Sequence, residues 1–244
     1  MTTDQLEPGP VRVGLLGNFT MSSADLPVVL RHGGERLLAF LGLHQHPVAR
    51  ARVAGALWPR SPAGQAASNL RATLARLPRP GDRPLTRTRN TQMSLSGHVE
   101  VDLWACDAQI RETRRALGVD KSDPPQLDVA LDMLDHDVLP FWTEEWILVE
   151  RERHRQARLH ALERLSDLLC AAGRYEQALR AGLAAVAGEP LRESANHRVI
   201  QVHLAEHNQV EALRQYDQYR RLLRSELGLA PSSQLRQLLD RRSE

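Results

Sequence analysis

Two segments of this chain stand 34 residues apart and share one pattern: Gly173-Arg-Tyr-Glu-Gln-Ala178-Leu179 and His207-Asn-Gln-Val-Glu-Ala212-Leu213. Each begins at a turn signal and ends on the same Ala-Leu step of a helical pattern. A period of that length in helical sequence constrains the fold severely. One helix pair cannot bury its apolar face alone, so successive pairs have to stack. The surrounding sequence agrees. From Asp102 onward the apolar spacing predicts helices over 102–117, 125–137, 142–172, 174–187, 191–206, 208–227 and 232–242. One linker-like stretch, GVDKSDPP at 118–125, interrupts them.

The register of the repeat is similar to that of tetratricopeptide repeats. Ala185 and Pro190 fall where those repeats place a small residue and a closing proline. Tyr216 takes the aromatic position of the second copy, and Gly182 stands there in the first. A third, poorer copy surrounds Ala130 and closes near Pro140.

The first hundred residues read differently. Residues 1–10 lack periodicity and are expected to form a loose tail. Val11, Val13 and Leu15 alternate with Arg12 and Gly14, predicting a short strand that runs on toward Phe19. Pro27 to Leu30 reads as a second strand, reached through a turn at 22–25. Helices follow near 34–45, 49–58 and 62–77, the last with Ser61 as expected N-cap and Pro62 at the first helical position. Its expected inner face is Ala63, Ala66, Ala67, Leu70, Leu74 and Leu77. The loop 78–84 leads into a β-hairpin that turns at Asn90-Thr91 and continues through Val99 and Val101. Strands, three helices and a hairpin predict an α+β winged helix-turn-helix over 11–101, followed by an all-α, tetratricopeptide-like domain over 102–244.

Charge points to the partner. Residues 1–100 carry twelve Arg, no Lys and six acids, whereas residues 101–244 carry twenty basic residues and twenty-four acids. Between Arg50 and Arg89 nine Arg face a single acid, Asp82. Such a block is the footprint of a polyanion, although an Arg-rich solvated face would read the same way. The third helix sharpens the reading. Its outer face presents Gln65, Ser68, Asn69, Ala72 and Arg76, with Arg71 on the flank. Asn and Gln pair with adenine edges, Arg with guanine edges, and small residues allow close approach. The wing adds Arg87 and Arg89, two apart and so on one strand face, with Asn90 at the tip. The expected DNA-binding set is therefore Gln65, Ser68, Asn69, Arg71, Arg76, Arg87, Arg89 and Asn90.

Other chemistry finds little support. His203-Leu-Ala-Glu206-His207 matches an H-x-x-E-H zinc motif, but His207 falls in an inter-helix turn and no third ligand has a place. Trp104, Trp142 and Trp146 sit among aliphatics at helical spacing and are expected to pack. Cys106 and Cys170 read as small buried hydrophobes. There is no G-x-x-x-x-G-K-[ST], G-x-G-x-x-G or G-x-S-x-G, so no catalytic residue, cofactor or metal is expected. The N-terminus lacks the features of a secretory signal and no apolar run would span a membrane, which makes the cytoplasm the expected compartment.

Several segments resemble the Streptomyces antibiotic regulatory proteins, which join an OmpR-type winged helix to a bacterial transcriptional activator domain. They are 11–17, RLLAFLGLHQHPVARARVAGALWP (36–59), NLRATLARL (69–77), EPLRE (189–193), EALRQYDQYRRLL (211–223), ELGLAP (226–231) and Leu235. Pro78 and Pro80 interrupt what is often a longer Arg-rich end of the recognition helix, and the wing turn is compact. The resemblance implies a pathway-specific activator of secondary metabolism. It would bind direct repeats near promoters as a tandem homodimer on double-stranded DNA and contact RNA polymerase. The alternative is a repeat-based protein-interaction adaptor whose winged helix has lost DNA binding; the basic block at 50–89 weighs against it.

Overall fold

The computed structural model describes residues 9–116 and 131–240. The linker-like stretch 118–125, residues 125–130 of the helix expected at 125–137 and Ala130 of the third repeat lie outside the described residues. Two compact units emerge, and each is discontinuous in sequence. Of the described residues, the first comprises 9–107 and 137–154, and the second 108–116, 131–136 and 155–240.

In the first unit, β1 (Val11–Gly14) pairs antiparallel with β2 (Thr20–Ser23), which pairs with the two-residue β3 (Leu26–Pro27). The sequence reading put the second strand at 27–30. The hairpin instead turns at Ala24-Asp25, both with positive φ, so the pairing is used up by Pro27. Then α1 (His32–Leu43) buries Leu37, Leu38, Phe40 and Leu41. Gly42 lets it close on the sheet, since a Cβ there would stand 2.8 Å from Leu15 Cδ1. β4 (Val48–Ala49), absent from the sequence reading, precedes α2 (Arg50–Leu57) and α3 (Ala63–Ala75). The wing is β5 (Thr86–Arg89) and β6 (Gln92–Leu95).

β7 (Val99–Val101) does not continue the wing. It crosses to the other sheet and runs parallel to β1, pairing Val11 with Val99 and Val13 with Val101. The sheets are thus β3-β2-β1-β7 and β4-β6-β5. Asp102 locks the crossing: its carboxylate accepts hydrogen bonds from the backbone N–H groups of Leu15 (2.8 Å), Leu16 (3.0 Å) and Leu103 (2.6 Å).

This unit's core extends past residue 101. Val138, Leu139 and Ile147 are buried in it, and Trp104, Trp142 and Trp146 pack against it. Trp104 Nε1 donates to the Gly42 carbonyl at 2.6 Å, and Phe40 meets Trp146 edge-on at 5.3 Å. The tryptophans do pack, but in the α/β unit rather than the helical one. The division between units falls inside α4 (Asp102–Arg115) and α5 (Glu145–Ala171).

The second unit continues with α6 (Tyr175–Gly188), α7 (Glu193–Ala205), α8 (Gln209–Leu227) and α9 (Ser233–Asp240). The 34-residue repeat survives in the backbone. Gly173 (φ 75°) and His207 (φ 62°) occupy equivalent left-handed turns, and Ala178, Ala185 and Ala212 are fully buried. Gly182 stands where the second copy has Tyr216 because Val199 packs there, 3.0 Å from a notional Cβ. Of the two cysteines, Cys106 is buried and Cys170 only half-buried.

Candidate nucleic-acid interface

The third helix is held by Ala66 and Leu70, which are buried, and by Leu74, which is half-buried. Leu77 also reaches the core, but from beyond the helix end. Ala63 and Ala67, expected on the inner face, are exposed. Both line an open hollow between α2 and α3, together with Ala54, Trp58 and Arg71. The N-terminus differs too. Pro62 takes the cap position with extended backbone, and Ser61 makes no cap hydrogen bond; the Pro62 carbonyl accepts from Ala66 N–H at 2.9 Å.

On the outer side Gln65, Ser68, Arg71, Ala72 and Arg76 are exposed, and Asn69 is half-buried at the edge. Gln65 Nε2 donates to Asn69 Oδ1 at 3.1 Å, and Arg71 Nη2 donates to Ser68 Oγ at 2.9 Å. Arg76 sits at the C-cap, its N–H on the Thr73 carbonyl.

In the wing, Arg87 pairs across from Ser94 and Arg89 from Gln92. Met93 and Leu95 face the core, so Arg87 and Arg89 share the outer face. Arg87 Nε donates to Ser94 Oγ at 3.1 Å. Ser94 was missed in the sequence reading, although a turn at Asn90-Thr91 fixes it opposite Arg87. Asn90 stands at the tip with φ 53° and is exposed. The Arg50 N–H donates to the Thr91 carbonyl at 2.8 Å, and Val48 pairs with Met93. The start of α2 is thereby tied to the wing turn.

Electrostatics separates this surface from the rest of its unit. Arg12 pairs with Asp25 and Glu100, and Arg36 with Glu144. Among the described residues no carboxylate stands within ion-pair distance of Arg50, Arg52, Arg60, Arg71, Arg76, Arg79, Arg87 or Arg89. At the wing base, burial pushes the His98 imidazole below its ordinary pKa, and the nearby Arg83 charge adds to that. The structure brings Gln65, Ser68, Asn69, Arg71 and Arg76 together on one helix, and Arg87, Arg89 and Asn90 on one hairpin. Among the described residues no group of three His, Cys, Asp or Glu is placed to hold a metal ion, and His207 lies in its turn. No helix among them is long and apolar enough to cross a membrane.

A winged helix with an unneutralised basic face, followed by stacked helix pairs, has the architecture of a DNA-binding regulator. Residues 101–241 match the bacterial transcriptional activator domain. The chain is 29% identical over 244 residues to the regulatory protein AfsR of Streptomyces coelicolor; the match covers 98% of this chain and 25% of AfsR. It thus spans about a quarter of that relative's length. A solved structure, EmbR of Mycobacterium tuberculosis in complex with a low affinity phosphopeptide, has the same fold, with a TM-score of 0.67 at 20% identity over 96% of this chain and 65% of EmbR. The chain belongs to the Streptomyces antibiotic regulatory protein family, a family of transcriptional activators.

Proposed function

We propose that this chain activates transcription by binding direct repeats in double-stranded DNA near promoters and contacting RNA polymerase. The controlled genes are proposed to be those of one secondary-metabolite pathway. The observation that carries the reading is the arginine surface over α2, α3 and the wing, with no carboxylate within ion-pair distance of Arg50, Arg52, Arg71, Arg87 or Arg89 among the described residues, flanking a helix face of small and amide residues. In the proposed complex α3 enters the major groove through Gln65, Ser68, Asn69, Arg71 and Arg76. Arg87, Arg89 and Asn90 touch phosphate or the minor groove. The helical unit supplies the protein-binding surface, and its family supports an activating output. Two copies sit head to tail, because repeats without palindromy impose one orientation on both. Repeat spacing of about 10–11 base pairs puts them on one DNA face.

The test uses the full chain. A fragment ending at Val101 would lose Trp104, Val138, Leu139, Trp142, Trp146 and Ile147 from the first unit's packing. Footprinting on genomic promoters is expected to show direct repeats occupied by two copies, with promoter activation in a purified transcription system. Palindromic sites bound by a preformed symmetric dimer would overturn the tandem arrangement. Occupancy without activation would overturn the activator role, and absence of sequence-specific binding would favour the adaptor.

A further inference from the structure

The exposed face of α3 is not centred where its amide residues stand. At about 100° per residue, Gly64, Ser68, Arg71 and Ala75 fall within about 60° of one another. All four are exposed, as are Ala67 and Ala72 on either side. Gln65, Arg76 and Asn69 lie about 90–130° round from that centre, with Asn69 already half-buried. The middle of the helix surface is therefore small residues around one long side chain, Arg71. A Cβ on Gly64 would meet nothing within 4 Å, so among the described residues nothing covers the face at that position.

Arg71 is held without being neutralised. Its Nη2 donates to Ser68 Oγ at 2.9 Å, three residues back on the same face, and among the described residues no carboxylate pairs with it. A hydroxyl takes one of the five N–H donors and leaves the others for an external acceptor. It also reduces the rotamer freedom that a long side chain loses on binding. Arg76, by contrast, sits at the helix C-cap, away from the small-residue patch.

We infer that Arg71 is the principal base-reading residue, that it reads guanine, and that Ser68 is its positioning residue. This rests on α3 being the recognition helix. Gly64, Ala67, Ala72 and Ala75 let the backbone sink close to the groove floor, and the guanidinium then spans the guanine O6 and N7 acceptors. The Gln65–Asn69 pair reads the flanking bases from the side. Within that set Arg76, at the C-cap, meets phosphate at the groove edge rather than a base, which contributes affinity without sequence information.

Selection from a randomised duplex library tests this with the full chain and the variants R71A, R71K, S68A, S68T and R76A. R71A is expected to erase one G·C column, costing about fivefold to a hundredfold against the preferred base. R71K is expected to erase the same column, because an ammonium lacks the planar fork. S68A should weaken that column alone and S68T should restore it. R76A should lower affinity for all sequences alike. The inference is overturned if R71A and R71K keep the column, if R76A is what erases it, or if S68A acts equally on every column. Unchanged binding by all five variants would overturn the recognition-helix reading itself.

Discussion

Arg71 and Arg192 carry the same guanidinium and do opposite work. Arg71 lies on an exposed helix face with only a hydroxyl for company. Arg192, between α6 and α7, is anchored to α5: its Nε donates to Glu163 at 2.6 Å, its Nη1 to Gln156 at 3.1 Å, and its Nη2 reaches His160. Glu163 also accepts from Ser194 Oγ at 2.6 Å. The contrast extends beyond the two residues. On α2, α3 and the wing, Arg50, Arg52, Arg71, Arg87 and Arg89 have no carboxylate within ion-pair distance among the described residues. In the helical unit Arg155 pairs with Glu189, Arg180 with Asp132, Arg198 with Asp167, and Arg220 with Asp217. In the proposed complex the first region keeps its charge for DNA, whereas the second uses its own to hold helices in register.

The largest effect expected from this contrast is on stability. Arg192→Ala leaves Glu163 with its side chain only 10% exposed and without its cation. The cost is expected to be about 3 kcal/mol, as for other buried pairs broken on one side. Urea unfolding checks it, and a loss under 1 kcal/mol would mean the network is ornamental. DNA affinity of the folded variant should keep the salt dependence of the parent.

Next comes the wing. Arg87→Ala and Arg89→Ala should each weaken binding to all sequences and flatten the slope of log K against log salt by about one unit. Their stability should stay within about 0.5 kcal/mol of the parent. An unchanged slope in both variants would place the hairpin in solvent and erase the contrast.

The acid limb of stability sharpens the same comparison. Burial alone would raise the Glu163 pKa, but hydrogen bonds from Arg192 and Ser194 outweigh it and hold the carboxylate below its ordinary value. A carboxylate depressed on folding stabilises above its unfolded pKa of 4.5. That stabilisation is lost as pH falls through the lower folded value. A pH series of thermal midpoints is expected to show this loss in the parent and less of it in Glu163→Gln. Equal acid limbs would show that Glu163 is not the titrating group.

The smallest effect belongs to a surface pair on α8. Arg214→Ala removes an i,i+3 contact between the exposed Arg214 and the half-buried Glu211. It should change stability by under about 0.5 kcal/mol. A larger loss in the same urea experiment would mean that exposed arginines in this unit also carry structure.

What the sequence determined by itself was most of the local structure, though not the end of the first hairpin, β4 or the cap of α3. The 34-residue period placed α6 and α8 and their turns, because a repeated helix pair writes its buried alanines at fixed intervals. Periodicity set α1, α2 and α3 to within two or three residues, and strand alternation put Arg87 and Arg89 on one face. Long-range pairing was decided only in three dimensions. β7 leaves the wing to lie beside β1, since Asp102 can then satisfy three backbone N–H groups at once. Trp104, Val138, Leu139, Trp142, Trp146 and Ile147 pack in the α/β core although they lie past the last strand of the winged helix. The face of α3 turned as well, because Ala63 and Ala67 are too small for burial to follow from composition. An apolar residue reports a wish to be covered, and only the tertiary structure says whether a neighbour is there to cover it. That is why Arg71 read as a flank in one dimension and stands near the middle of the exposed face in three.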